Sequence, residues 1–136
     1  MDQDQNSFRH HKGSVTLLRF HFVWIPKYRR KLLVGPVALR LEALLQQKAQ
    51  ELQITILRLA IQPDHLHLFL ASDPRVSPSE IARSLKGFTS YQLRLEFPHL
   101  RKLPSLWTPS FFCSSAGNVS SATIERYIQN QTGVRP

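Results

Sequence analysis

An α+β fold is predicted by the order in which strand-like and helix-like segments alternate along the chain. The segment "VTLLRFHFVWI" (15–25) is rich in β-branched and aromatic residues, which favours a strand. The segments "ITILRLAIQ" (54–62) and "HLHLFLA" (65–71) are also strand-like, and the short Pro63-Asp64 connection predicts a hairpin. The pattern indicates a ferredoxin-like, or RRM-like, split β-α-β sandwich with an antiparallel sheet and an added C-terminal helix.

The helices are predicted from apolar periodicity and from their start signals. Residues 36–52 carry leucines at helical spacing. The stretch "SPSE" (77–80) places a hydroxyl at the N-cap, proline at the first helical position and a carboxylate three residues after the cap, so a helix runs from there to about Glu96. A fourth strand is expected at 110–117, and Ser120 or Ser121 can cap a final helix over "ATIERYIQNQ".

Length and composition predict one globular domain over residues 15–136, preceded by a flexible polar tail at 1–14. The chain has 136 residues, of which 42% are hydrophobic and 20% charged. Neither a signal peptide nor a membrane-spanning run is expected. The single cysteine, Cys113, cannot form an internal disulfide, which favours a reducing, cytoplasmic location and a packing role for its side chain.

The net charge points to a polyanionic partner. Eighteen Lys and Arg residues oppose nine Asp and Glu residues, which gives a formal charge of +9 and favours nucleic acid, although a solvated basic surface is the alternative. Tyr28 could stack on an unpaired base. The candidate nucleic-acid contacts are Lys27, Tyr28, Arg29, Arg30, Lys31 and Lys86.

Two histidines alternate with leucines in "PDHLHLFL" (63–70). On a strand, residues i and i+2 lie on one face about 7 Å apart, so His65 and His67 share a face while the leucines pack on helices. Two imidazoles form half of a metal site, yet a pair of histidines on a polar strand face also occurs without any ligand. Asp64 could orient His65 or serve only in the turn, and the turn is the favoured interpretation.

Other histidine-based sites fit the sequence less well. A histidine-triad hydrolase needs a third alternating histidine, where Phe69 stands. A two-histidine phosphoesterase needs a repeated His-x-Thr, and a zincin needs His-Glu-x-x-His on a helix; neither motif is present. A two-histidine site that needs a further ligand and a nucleophile remains.

The last helix carries residues that can supply both. Tyr127 and Gln131 are four residues apart and therefore lie on one helix face. The Tyr127 phenol becomes a competent nucleophile where its surroundings favour the phenolate, and the Gln131 amide can offer a neutral oxygen ligand. A tyrosine on an amphipathic helix can equally be a packing residue.

Five stretches in order and spacing resemble the small single-tyrosine transposases, the transposase-A (TnpA) enzymes of the His-hydrophobe-His (HUH) endonuclease superfamily found in insertion sequences. The similarity extends from about Val15 to Gln131. The stretches are "HFVWIPKYRRKLL", "PDHLHLFL", "SLKGFTSYQL", "LWTPSFFCSS" and "ATIERYIQNQ".

The resemblance implies a metal-dependent strand transferase that acts on single-stranded DNA at hairpin-bearing transposon ends. Tyr127 would form a 5′-phosphotyrosine, and His65, His67 and Gln131 would hold one divalent ion, Mg or Mn. It also implies a prokaryotic homodimer in which the tyrosine helix can act in trans. Two alternatives stay open: a domesticated relative acting on chromosomal palindromic repeats, and a non-catalytic module that binds single-stranded DNA hairpins.

Overall fold

The computed structural model describes residues 10–11, 14–15, 18–115 and 121–130. Four strands and three helices form the domain: β1 (Leu18–Trp24), α1 (Gly35–Leu52), β2 (Thr55–Gln62), β3 (His65–Ser72), α2 (Pro78–Glu96), β4 (Phe112–Ser115) and α3 (Ser121–Asn130). Two 3-10 turns, Lys27–Arg29 and Pro98–Lys102, connect them. Ahead of the sheet, His10–His11 pairs with Ser14–Val15 in a short hairpin, whereas residues 1–9 and 12–13 of the predicted tail lie outside the described residues.

The four strands form one antiparallel sheet in the order β2-β3-β1-β4. The predicted hairpin of β2 and β3 is present, with Pro63 and Asp64 as its turn. β1 lies between β3 and β4, and its Val23 is the register partner of both His67 and Phe112. The α+β prediction is confirmed. Because register partners share a sheet face, this pairing brings β4 and the histidine strand to the two sides of one β1 residue.

The helix start at Ser77 follows the predicted chemistry. Ser77 accepts a hydrogen bond from the Glu80 backbone N–H, and the Glu80 carboxylate accepts one from the Ser77 backbone N–H. This capping box satisfies two donors at the end where helices leave theirs unpaired. It fixes the first turn of α2. Farther along the helix, the side chains of Ile81, Leu85 and Leu93 are fully buried.

The leucines and histidines of β3 separate to opposite sheet faces, as their alternation predicts. Leu66, Leu68 and Leu70 are fully buried in the main core beneath α1 and α2. His65 and His67 are only partly buried and lie on the other face. The leucine face alone therefore holds the strand in the core, which leaves the imidazoles available for other contacts.

A second, smaller cluster lies apart from the main core and involves α3. Val23 lies in β1 and Ile25 directly follows that strand, and both pack against Ile128 of α3. Phe112 and Tyr127 are partly buried beside them. Val23 shares its face with His67, so α3 covers the histidine side of the sheet. Within the described ranges, no helix has the length and apolarity needed to cross a membrane.

Candidate active site

The histidine pair of β3 is held in a defined orientation. The His65 and His67 ring centroids are 5.0 Å apart and the rings are nearly perpendicular, at 73°. His65 Nδ1 lies 2.8 Å from Asp64 Oδ1. With Asp64 ionised and the His65 ring neutral, that contact places the ring proton on Nδ1 and leaves Nε2 with a free lone pair, the arrangement of a metal-ligating histidine and its carboxylate. Asp64 thus orients His65 as well as occupying the turn, so the interpretation of a turn residue alone is wrong.

His67 is kept uncharged by its surroundings. Burial, reinforced by the neighbouring His65 and His21, lowers the pKa of His67 to about 4. A neutral imidazole is the form that binds a metal ion, since the proton and the metal compete for the same lone pair. At neutral pH His67 is therefore ready to act as a ligand without first losing a proton.

Arg29 joins the histidine strand to the tyrosine helix. Its Nε donates to Asp64 Oδ2 at 3.2 Å, and its Nη1 lies 3.5 Å from the Ile128 carbonyl oxygen. Burial would raise the pKa of Asp64, but the hydrogen bond from His65 and the charge of Arg29 leave it below its ordinary value. Both Tyr28 and Arg29 have left-handed backbone conformations, with φ of 60° and 52°. Such strain is sustained where tertiary contacts hold it, here at a residue that contacts two other elements.

A third histidine, His21, belongs to the same array and was missed by the sequence argument. Its ring centroid is 5.6 Å from that of His67 and 6.3 Å from that of Phe69. Burial, with a smaller effect of Arg58, lowers the pKa of His21. His21 could have been found only from the register of β1 against β3, in which it lies opposite Phe69. That register is not readable from either strand alone.

Tyr127 lies on the histidine side of the sheet, half-buried against β4. Its ring centroid is 5.7 Å from that of Phe112, and its hydroxyl lies 3.2 Å from the Ser110 hydroxyl. Burial raises the pKa of Tyr127, and the Ser110 contact opposes that shift. The phenol is therefore protonated at neutral pH in the protein alone. For Tyr127 to act as a nucleophile, positive charge or a proton acceptor would have to come from outside the contacts described here.

Lys86 holds the loop that carries Ser110. Its Nζ donates to the carbonyl oxygens of Thr108 and Ser110, at 2.7 and 2.9 Å. Burial lowers the pKa of Lys86 to about 8. Two of its hydrogen bonds are used inside the protein, so the geometry favours a loop-stabilising role, and a phosphate contact from Lys86 stays a prediction.

The remaining predicted nucleic-acid residues divide between two roles. Arg30 and Lys31 are exposed, as phosphate contacts would be, whereas Arg29 is engaged with Asp64. Lys27 Nζ lies 5.5 Å from the centroid of the Tyr28 ring, a cation–π contact. DNA contact by these residues stays a prediction.

Cys113 is partly buried, and burial raises its pKa to about 11, which fits a packing role.

A divalent ion fits the histidine pair, provided that another residue adds a ligand. Among the described residues, no three or more His, Cys, Asp or Glu side chains are grouped so as to hold a metal ion. His65 and His67 supply two neutral nitrogen donors, one of them oriented by Asp64. Gln131, the predicted third ligand, lies outside the described residues, one position beyond the end of α3.

Comparison with known proteins identifies the family. The family model described as "Transposase IS200 like" matches residues 14–131 of this chain. The chain belongs to the IS200-like transposases. Its curated relatives include the ISDra2 transposase TnpA of Deinococcus radiodurans, 30% identical over 123 residues and 88% of each chain. They also include the transposase of insertion sequence IS200 from Salmonella typhimurium, 27% identical over 94% of this chain and 84% of that protein.

Solved structures agree with the observed sheet and helices of this IS200-like transposase. A crystal structure of a candidate transposase from Deinococcus radiodurans R1 superposes with a TM-score of 0.82 at 32% identity and covers 93% of this chain and 99% of that one. A REP-associated tyrosine transposase bound to a REP hairpin gives a TM-score of 0.57 at 17% identity, over 82% of this chain and 62% of that chain. The second likeness concerns the fold alone. The resemblance stated from sequence is confirmed.

Proposed function

We propose that this transposase cleaves and rejoins single-stranded DNA at hairpin-bearing transposon ends, with Tyr127 as the nucleophile and a divalent ion, Mg or Mn, bound by His65, His67 and Gln131. The observation that carries the proposal is the position of α3. It lies over the sheet face that bears the histidines, and its Tyr127 packs on Phe112 beside Val23, the register partner of His67.

The reaction exchanges one phosphate ester for another. Tyr127 Oη gives up its proton and attacks the scissile phosphorus, a bond forms between that oxygen and phosphorus, and the bond to the 3′ oxygen breaks as the departing oxygen takes up a proton. The products are a 5′-phosphotyrosine and a free 3′-hydroxyl. A second 3′-hydroxyl then attacks the phosphotyrosine, which releases Tyr127 and rejoins DNA without an external energy source.

The chain's own groups prepare this step. Ser110 and Phe112 fix the phenol, Asp64 fixes the His65 tautomer, and Arg29 fixes Asp64. When bound, the divalent ion supplies charge that polarises the phosphate and favours the leaving oxygen. Two nitrogen ligands favour Mn over Mg, since Mg prefers a shell of oxygen ligands.

A covalent-adduct assay tests the proposal. Wild-type protein is mixed with end-labelled single-stranded hairpin DNA, with Mn, Mg or a chelator, and analysed on denaturing gels. We expect a metal-dependent protein–DNA adduct that Tyr127→Phe abolishes. The chain has three tyrosines, so Tyr28→Phe and Tyr91→Phe are the complete control set, and both should retain the adduct.

Two results would contradict the proposal in different ways. An adduct that persists in Tyr127→Phe would assign the nucleophile elsewhere. Retarded DNA on native gels without any adduct would indicate a hairpin-binding module that does no chemistry. We also propose, from the family resemblance, that the protein acts as a homodimer, in which the tyrosine helix can complete the site of its own subunit, as α3 lies here, or that of its partner in trans. Mixed dimers of Tyr127→Phe and His67→Gln subunits test this, because a trans arrangement leaves one complete site in each mixed dimer.

A further inference from the structure

A groove runs along α2 on the helical side of the sheet, away from the histidines. It consists of two adjoining cavities of about 450 and 530 Å³, bounded by α2 on one side and by the 104–111 segment on the other. Gly87, Ser90 and Ser105 line both cavities, so the two are one continuous feature, called here the α2 groove.

Gly87 stands in the middle of α2 without a packing reason within the described chain. Glycine is among the poorest helix formers, so an interior glycine in a 19-residue helix lowers stability relative to alanine. A Cβ atom built on Gly87 would have no described atom within 4 Å. The missing side chain therefore leaves the helix backbone bare toward open space in the groove, where a ligand can come close.

The charge of the groove is of one sign. Arg83, Lys86, Arg94 and Arg101 line it, and neither cavity is lined by a carboxylate. Arg101 donates to the carbonyl oxygens of Arg94 and Leu95, and Lys86 donates to the 104–111 segment. Arg83 and Arg94 make no side-chain hydrogen bond among the described residues, although Arg83 also interacts electrostatically with Glu80. Cations along a groove that exposes small residues favour a phosphodiester backbone.

An exposed aromatic ring completes the groove. Tyr91, one turn after Gly87, lines the second cavity and is 65% exposed. Exposed aromatic rings beside cations are typical of proteins that stack unpaired bases, whereas a paired base has no free face to offer. The ring therefore favours a single strand over a duplex.

We propose that the α2 groove binds an unpaired segment of the DNA substrate, with phosphates near Arg83 and Arg94 and a base on Tyr91. The proposal rests on the proposed function, because the ligand is the same strand. Lys86 lines the groove and also holds the loop whose Ser110 contacts Tyr127. That loop therefore links the groove to the surroundings of Tyr127, which lies on the other side of the sheet.

The test uses the full chain with Tyr127→Phe as background, without metal, and follows the fluorescence anisotropy of a labelled hairpin oligonucleotide with an unpaired tail. Gly87→Leu fills the groove and should raise Kd about tenfold, whereas Gly87→Ala should change it less than threefold. Because both residues are better helix formers than glycine, Tm should not fall. Ala43→Leu, at an exposed position of α1, is the matched control and should bind as the parent does.

Substitutions at Tyr91 and Arg94, which leave Gly87 in place, test the same proposal independently. Tyr91→Ala should raise Kd about tenfold for the tailed hairpin and leave Kd for a blunt hairpin unchanged. Arg94→Gln should lower the slope of log K against log salt by about 1, and Arg94→Lys should restore it, as expected for a phosphate contact. Together these results place the strand in the groove.

Unchanged affinity in Gly87→Leu, Tyr91→Ala and Arg94→Gln would overturn the proposal. An altered oligomeric state in Gly87→Leu with unchanged Kd would overturn it as well, since the groove would then hold a second copy of the chain. The adduct assay separates this outcome from failure of the proposed function. If the wild type forms the adduct but the groove variants leave Kd unchanged, only the groove proposal fails. If the groove variants raise Kd but the wild type forms no adduct, only the proposed chemistry fails.

Discussion

At the scale of single residues, His67 of the histidine array has a strongly lowered pKa. Its pKa of about 4 lies below the ordinary value of 6.5, so between those pH values the unfolded chain binds a proton that the folded protein does not. The stabilising contribution is complete above about pH 6.5 and is lost as the pH falls toward 4. A metal ion bound to the same lone pair would oppose that loss.

Urea denaturation at pH 7 and pH 4.5 measures this contribution. We expect the wild-type free energy of unfolding to fall by about 1 kcal/mol from His67, after allowing for the solvent screening of a half-exposed ring. His67→Gln should remove that part of the pH dependence, and His99→Gln, at an exposed position, should not. Equal pH dependence in wild type and His67→Gln would contradict the assignment.

Asp64 is the residue through which the turn acts on the proposed metal site. Asp64→Ala removes the acceptor for His65 Nδ1 and the partner of Arg29 Nε. Mn affinity, measured by calorimetry on the full chain, should fall 10- to 100-fold, as is usual when the partner of a ligating histidine is lost. Glu51→Gln, at an exposed site, is the control. Unaltered Mn affinity in Asp64→Ala would show that His65 is oriented without it.

The residues of the site were only partly predictable from sequence. His65 and His67 carry a local signal because strand alternation places them on one face, and α3 was predicted to carry Tyr127. His21 and Ser110 carry none: each reaches the site through strand pairing or a loop path that joins distant parts of the chain. The contact of Asp64 with His65 is local, whereas its second partner, Arg29, lies 35 residues away along the chain.

At the scale of elements, α2 has the clearest local determinant. Ser77→Ala removes one half of the capping box and should lower the free energy of unfolding by about 1 kcal/mol. Urea denaturation with an unchanged m-value checks this expectation. Ser84→Ala, inside the same helix, should be neutral or stabilising, because alanine is the better helix former there. A loss in Ser84→Ala as large as that in Ser77→Ala would point to side-chain burial rather than capping.

The element boundaries that sequence misjudged have a physical cause. β4 was expected at 110–117, but the strand begins at Phe112. The two preceding residues are used otherwise: the Ser110 carbonyl accepts from Lys86, and Phe111 packs against the main core. Propensity cannot detect a loop fixed by a lysine 24 residues earlier. The starts and ends of α1, α2 and β3, by contrast, follow from caps, prolines and alternation, and they match within a residue.

At the scale of the whole molecule, the charge of +9 governs how DNA is approached. Binding that neutralises phosphates releases counterions and therefore weakens with salt. For the Tyr127→Phe variant, raising NaCl from 50 to 200 mM should weaken hairpin binding about tenfold or more, the change expected for roughly three phosphate contacts to a single strand. Filter binding or anisotropy across that range measures the slope. A salt-independent Kd would mean that the basic surface takes no part.

The division of the interior into two clusters has a consequence for how the protein opens. Among the side chains that the structure describes, twenty buried residues hold the sheet to α1 and α2, whereas Val23, Ile25 and Ile128 form the buried part of the contact with α3. The free energy of local opening follows buried apolar contact, so from the described side chains we expect α3 to open more readily than the main core. Hydrogen exchange at amides 127–130 should then proceed by a subglobal route, whose urea dependence is weaker than that of exchange at the amides of α1 and α2. Tyr127, the proposed nucleophile, can then leave its place without unfolding of the main core.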